Sequence, residues 1–323
     1  MNMKQFRSQV RKVTDMLGIW VVLILLFLVL SISTGKTFLQ PSNLINLVRQ
    51  ICVTCLVAVG ATFVVCGGEI DLSSGEMAAL AGCFSAMLMV RYGWNTWTSI
   101  LVVLAVGTLF GILTGLVVTI LNVPSFIATL GMMYVLEGIV LLLTRGTPIN
   151  GLHEDYIAIG RGYLGAIPIP VIIVTVIILV GAFIFKFTKF GRNIQAVGEN
   201  ATAANLSGIN VRMIKIAIFA VGGMLSAAGG VMLTARLSSG QPTAAGDLSL
   251  QAMAGVFVGG NSATNSEHAM FNTLAGSLII GMINNGMNLL EVNAYWQKVA
   301  LGVIIISAIA MDAYRTQSLT KAS

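Results

Sequence analysis

Apolar residues run along this chain in long stretches that charged residues interrupt only at intervals. A helix needs about 20 predominantly apolar residues, within a range of roughly 17–25, to cross the hydrocarbon core of a bilayer. Measured against that length, the sequence predicts ten membrane-spanning helices at residues 17–33, 44–66, 76–91, 97–121, 124–144, 169–187, 213–235, 248–262, 270–290 and 296–312. The third and eighth are short or interrupted by glycine, which predicts broken or tilted helices whose free backbone groups face protein or a wet cavity.

The composition supports a membrane protein. Of the 323 residues, 56% are hydrophobic and only 9% are charged, and the mean hydropathy is +0.90. A soluble domain carries roughly 25% charged residues, so these charges could not cover a soluble surface of this size. The sequence therefore predicts an all-α, polytopic membrane helical bundle that forms one transmembrane domain over residues 1–323. The net charge of +6 is spread over short loops rather than gathered in one patch, which argues against a nucleic-acid partner.

The basic residues predict the orientation of the bundle. An even number of spans puts both termini on one side, and loops on the cytoplasmic side carry an excess of lysine and arginine. With both termini cytoplasmic, the inner segments hold eleven basic residues: Lys4, Arg7, Arg11, Lys12, Lys186, Lys189, Arg192, Arg212, Lys215, Arg315 and Lys321. The outer loops hold five: Lys36, Arg91, Arg145, Arg161 and Arg236. We expect a multi-pass protein of the inner membrane.

The two halves of the chain suggest an inverted repeat. Spans two to five and seven to ten are five apart, so corresponding spans cross the membrane in opposite directions, as in many transporters. The two halves also share a weak sequence similarity. A glycine pair at 67–68 is followed by Leu80-Ala81-Gly82, and a glycine pair at 259–260 is followed by Leu274-Ala275-Gly276.

Three carboxylates lie between the second and third spans. Ionisable groups inside a membrane are costly and are therefore candidates for function. Glu69 and Glu76 also fit a position at the membrane boundary or in the first turn of a helix, where a negative charge is favourable. Asp71 lies between apolar residues, and a structural and a functional role are equally compatible with that setting.

Polar residues within two later spans are further candidates for the substrate pathway. Glu137 has no charged neighbour in its own span, so it could be protonated, face a wet cavity, pair with an arginine of another helix, or relay protons. Asn284, Asn285 and Asn288 lie on the ninth span at helical spacing, and their amides could bind sugar hydroxyls or join neighbouring helices. With Asp71, these are the residues that we expect along the pathway.

Motifs of catalysis are absent from the sequence. Gly35-Lys36-Thr37 lacks the earlier glycine of a phosphate-binding loop, because residue 30 is leucine. The chain has two histidines, and Cys52 and Cys55 have no second pair nearby, so we expect no metal site, no cofactor and no enzymatic activity. Energy for uphill transport must come from a gradient or from another subunit.

The inner loop from 188 to 215 predicts a short helix that ends at Gly208, a residue type that adopts the left-handed conformation at little cost. Such a helix could dock on a partner protein or be an amphipathic surface helix without one. The segment from Gly198 to Val211 resembles the coupling loop of ATP-binding-cassette (ABC) sugar importer permeases of the ribose/galactose/arabinose type. The segment 68–75 is similar to a signature of that family, and the segments 235–243 and 284–290 are similar to it as well, most of all to its ribose members.

The resemblance implies a homodimer of this subunit, two cytoplasmic ATPase subunits and an extracytoplasmic sugar-binding protein. It assigns docking of the ATPase to the coupling loop, through Glu199, Asn200, Ala203, Ala204, Ser207, Gly208 and Ile209. The implied function is import of a monosaccharide, ribose first. The alternatives are another sugar, a nucleoside or a branched-chain amino acid, or a proton-coupled secondary transporter that uses Glu137 and Asp71.

Two features depart from the family. Its second glycine group between the eighth and ninth spans is replaced here by Ala263-Thr264-Asn265-Ser266-Glu267-His268, which puts gating or a subunit contact at residues 261–268 in doubt. Glu137 stands where relatives often have arginine.

Overall fold

The chain forms an α-helical bundle. A computed structural model describes the backbone of residues 3–261 and 268–320, and the side chains of residues 18–261 and 268–310. In that part of the chain the helices are α1 (Met3–Ser33), α2 (Pro41–Cys66), α3 (Ser74–Tyr92), α4 (Thr96–Ile120), α5 (Ser125–Thr144), α6 (Glu154–Arg161), α7 (Ile169–Phe187), α8 (Lys189–Glu199), α9 (Ala201–Leu206), α10 (Val211–Leu237), α11 (Leu248–Val258), α12 (Ala269–Leu289) and α13 (Ala294–Thr320). A two-stranded antiparallel hairpin, β1 (Tyr163–Leu164) and β2 (Ile167–Pro168), follows α6.

Each of the ten predicted segments overlaps a helix of its own, and the all-α fold is confirmed. By length and composition, five helices in the described part of the chain are long and apolar enough to cross a membrane: α2, α4, α5, α7 and α10. Helix α3 runs without a break through two glycines, whereas α11 has 11 residues. At 1.5 Å per residue, α11 covers about half of a hydrocarbon core that is about 30 Å thick.

Helices α2 and α10 form the centre of the bundle. They contact each other, α10 also packs on α3 and α4, and α2 packs on α11 and α12. Glycines allow the close approach: a Cβ atom built on Gly60 of α2 would lie 3.1 Å from the Gly222 carbonyl oxygen of α10. Helix association in lipid depends on such packing, because lipid is as apolar as the side chains.

Contacts between loops define two ends of the bundle. At the end that carries α9, Glu69 after α2 pairs with Lys215 of α10, and the Ile70 amide donates to Ser125 Oγ at the start of α5 (3.2 Å). At the other end, which carries the hairpin, a β-bridge joins Ile149 to Gly240. We refer to these as the α9 end and the hairpin end.

The turn between α11 and α12 also lies toward the α9 end. Asn261 donates to the Ala269 carbonyl oxygen (3.0 Å) and to Thr273 Oγ1 (2.8 Å), and Thr273 is hydrogen-bonded to Thr62 near the end of α2. Residues 262–267, which carry most of the departure from the glycine-rich family pattern, lie outside the described residues.

Candidate translocation cavity and coupling surface

A polar cavity opens at the hairpin end of the bundle. Its volume is about 310 Å³. It lies between α2, α10 and α11, and the loop that joins α10 to α11 forms part of its wall. Small-molecule sites occupy about 300–1,000 Å³, so the cavity can hold one small solute. Its polar lining residues are Gln50, Thr54, Arg236, Thr243, Asp247, Gln251 and Lys298.

The chemistry of this lining suits a solute with many hydroxyl groups. Gln50 and Gln251 bring amides from two helices, which both donate and accept hydrogen bonds, and Thr54 adds a hydroxyl one turn after Gln50. The one ion pair at the cavity joins Lys298 Nζ to Asp247 Oδ2 at 3.8 Å, and both side chains are largely exposed. A neutral polyol can bond to all of these groups.

Sequence reasoning missed the amides and hydroxyls of this cavity. Gln50 and Thr54 are four apart on α2 and therefore share a face of that helix, and this spacing was the available signal. Gln251 and Asp247 come close to α2 only because α11 packs on it. The five predicted pathway residues are absent from the cavity lining.

Asp71 lies at the α9 end, in the turn between α2 and α3. It is 4% exposed, and its Oδ1 atom accepts hydrogen bonds from the Ser73 amide (2.8 Å) and hydroxyl (2.6 Å). Burial raises the pKa of the Asp71 carboxyl, and the two hydrogen bonds from Ser73 oppose that change. Ser73 is the residue before α3, so Asp71 fixes the turn into that helix. A role in the pathway stays a prediction.

Glu137 is half-buried on α5, which packs on α3. The ion pairs among the described side chains are Lys215–Glu69 and Lys298–Asp247, so the proposed pairing of Glu137 with an arginine is not formed there.

The asparagines of α12 hold helix ends together at the hairpin end. Asn285 and Asn43 of α2 exchange amide hydrogen bonds (2.9 and 3.2 Å), and Asn288 accepts one from Gln297 of α13 (2.9 Å). Asn284 is half-buried beside them. Of the two roles proposed from sequence, these bonds favour the joining of helices.

The α9 end presents a compact protrusion made by α8 and α9. Asn200 caps α9 by accepting a hydrogen bond from the Ala203 amide (2.9 Å), and Gly208 follows it with φ +84°. The helix that ends before Gly208 was predicted from sequence and is confirmed. In the predicted docking set, Glu199, Asn200, Ala203, Ser207 and Gly208 are exposed, Ile209 is half-buried, and Ala204 is 4% exposed.

The most prominent apolar residue of the protrusion is one that sequence reasoning missed. Leu206 is 84% exposed at the last position of α9. A leucine exposed at the end of a polar helix offers apolar surface to a protein partner, because its burial would remove that surface from water.

The four cysteines lie inside the bundle. Cys52, Cys55, Cys66 and Cys83 are all free and buried. Within the described residues, no group of three or more metal-binding side chains is found.

Comparison with known proteins gives a consistent set of relatives. A profile of the family described as branched-chain amino acid transport system / permease component matches residues 43–309. The ribose import permease protein of Haemophilus influenzae is 41% identical over 299 residues, which cover 91% of this chain and 92% of the relative. A probable ABC transporter permease protein of Escherichia coli is 37% identical, with 99% of this chain and 95% of the relative covered. The xylose transport system permease protein of H. influenzae is 31% identical, with 92% and 96% covered. No solved structure matches the chain at a significant level.

Proposed function

The chain belongs to this family of transport-system permease components, and we propose that it is the membrane subunit of an ABC importer that carries ribose or a similar pentose across the inner membrane. As a permease component it is not an enzyme, and ATP is hydrolysed by a separate subunit. The observation that carries the proposal is the placement of two features at opposite ends: a sugar-sized polar cavity at one end and an exposed protrusion at the other.

The α9 end faces the cytoplasm in this proposal, and so do both termini. Five of the basic residues assigned to the inner side lie on the protrusion or beside it in the sequence: Lys186, Lys189, Arg192, Arg212 and Lys215. The positive-inside rule supports this orientation. The hairpin and the cavity then face outward, where solute arrives.

Ten spans arranged as an inverted repeat, within one domain over residues 1–323, remain part of the proposal. The packing of the central helices supports it: α10 packs on α3 and α4, and α2 packs on α11 and α12, the corresponding helices of the other half. The glycine pairs at 67–68 and 259–260 do not support it, because both follow helices that end toward the α9 end, whereas an inverted repeat places equivalent positions at opposite ends.

An ABC importer permease works with an ATPase and a binding protein. We further propose a homodimer of this subunit, with an ATPase docked on each protrusion through Leu206 and the exposed residues of the predicted set. Ala204 and Gly208 support α9 from within, because Ala204 is buried and Gly208 has a positive φ.

Thr54→Val tests the cavity as the sugar pathway. Valine keeps the shape of threonine but removes the hydroxyl, and a lost hydrogen bond is worth about 1 kcal/mol. We expect ribose uptake by the reconstituted importer to fall roughly fivefold, since about 1.4 kcal/mol corresponds to a tenfold change in rate. Thr108→Val is the matched control, because Thr108 lies on α4 outside the cavity and bonds to its own helix at Leu104. Equal uptake by the two variants would contradict the assignment.

Reconstitution separates the proposed function from its alternatives. In proteoliposomes that contain the complete importer, uptake should require ATP and be unaffected by a proton gradient. Uptake that follows the proton gradient would instead support secondary transport through Glu137 and Asp71. Competition by ribose, xylose, nucleosides and branched-chain amino acids would identify the solute.

A further inference from the structure

Three arginines from distant parts of the sequence meet at the hairpin end. Arg49 lies on α2, Arg161 is the last residue of α6, and Arg236 lies in the last turn of α10. Arg49 donates through Nη2 to the Arg161 carbonyl oxygen, and Arg161 Nε donates to the Arg236 carbonyl oxygen (2.7 Å). The Arg49 guanidinium also lies 5.0 Å from the centre of the Tyr163 ring. We refer to the three residues as the arginine cluster.

The cluster holds like charges together without an acidic partner in the described part of the chain. The ion pairs there, Lys215–Glu69 and Lys298–Asp247, do not include an arginine. The groups that hold the guanidinium groups in place are neutral: two carbonyl oxygens and an aromatic ring.

One donor of the cluster is also unsatisfied. The Nε atom of Arg49 is buried and has no hydrogen-bond partner. A buried donor without a partner is unfavourable, because it has lost its hydrogen bond to water and gained none in the protein. Three positive charges and an unused donor form an arrangement that an oxyanion would complete, because guanidinium groups bind carboxylates and phosphates in bidentate fashion.

The position of the cluster favours a carboxylate from a protein over a lipid phosphate. Arg236 belongs to α10, which packs inside the bundle against α2, α3 and α4, and it also lines the polar cavity. Arg161 is exposed beside it. An anion at this place lies over the mouth of the cavity, where a protein that delivers solute must sit.

We propose that the arginine cluster binds acidic side chains of the solute-binding protein and so positions that protein over the cavity. This proposal rests on the proposed function, because it requires a delivering protein. Electrostatic pairs at the rim of an interface raise the association rate, so the contact should weaken as salt screens it.

Substitution of Arg161 tests the proposal in the complete transporter in nanodiscs, titrated with the binding protein of the same transport system. The Kd should be measured at about 0.1 M and about 1 M salt, where the Debye length is about 10 Å and about 3 Å. We expect Arg161→Gln to weaken binding about tenfold at the lower salt and to reduce the salt dependence. Glutamine can still donate to the Arg236 carbonyl oxygen, so the change removes mainly charge. Arg161→Lys keeps the charge and should stay within about threefold of the unsubstituted protein.

The control is Arg145→Gln, which removes an exposed charge at the same end but outside the cluster. It should bind as the unsubstituted protein does, and Arg49→Gln should reproduce the effect of Arg161→Gln. The proposal is overturned if Arg161→Gln binds with unchanged Kd, or if its loss is the same at both salt concentrations. Failure of the unsubstituted transporter to bind the protein at all would instead overturn the proposed function.

Discussion

Gly223→Ala should destabilise the folded bundle by about 1–3 kcal/mol, the range for overpacking a close contact. A Cβ atom at Gly223 of α10 would lie 2.2 Å from the Gly107 carbonyl oxygen of α4. That neighbour is backbone, so relief requires the two helices to move apart. That movement would also separate the helices at Gly111 of α4. They approach so closely there that a Cβ atom built on Gly111 would lie 2.2 Å from the Phe219 carbonyl oxygen of α10. The measurement is the thermal unfolding of the purified protein in detergent.

Gly138→Ala is the matched control for that substitution. Gly138 lies within α5, and a Cβ atom built on it meets no other atom within 4 Å. Alanine favours a helix over glycine by about 1 kcal/mol, so this variant should be at least as stable as the unsubstituted protein. If both variants unfolded at the same temperature, α4 and α10 could not be in the contact described.

Leu206→Asp should abolish most ATP-driven uptake while the protein still inserts and folds. Burying a leucine side chain is worth about 2 kcal/mol, and losing that burial corresponds to about a 30-fold loss of affinity for the ATPase. The side chain is 84% exposed, so aspartate costs little in the isolated subunit. The readouts are uptake and co-purification of the ATPase.

Leu121→Asp controls for a negative charge at the same end of the bundle. Leu121 follows α4 and is 66% exposed, but it lies outside the protrusion. It should retain the ATPase and most of the uptake. Co-purification of the ATPase with Leu206→Asp at the unsubstituted level would refute the docking assignment.

Local rules account for what the sequence predicted correctly. The helices of the bundle follow from runs of apolar residues, and the end of α9 follows from one glycine in the left-handed region at 208. Each of these features depends on residues close together in the chain. The count of spans and the inverted repeat remain predictions for the same reason, since they depend on how distant helices are arranged around a bilayer.

The features that the sequence could not predict are assembled from distant segments. The cavity needs residue 50 of α2 to meet residue 251 of α11, and the arginine cluster needs residues 49, 161 and 236 to meet. No periodicity in the sequence specifies such contacts. The solvent exposure of single side chains could not be predicted from the sequence either. Ala204 and Leu206 are two apart in the predicted docking loop, and only the packing of α9 distinguishes the buried residue from the exposed one.

Labelling of single cysteines decides which end of the bundle faces the cytoplasm. The four native cysteines are buried, so they should contribute little background. Leu164→Cys would report on the hairpin end, where Leu164 is 69% exposed, and Leu206→Cys would report on the α9 end. With a membrane-impermeant maleimide, we expect Leu164→Cys to react in intact cells. We expect Leu206→Cys to react only after the membrane is permeabilised. Reaction of Leu206→Cys in intact cells would place the protrusion outside, where no ATPase could reach it.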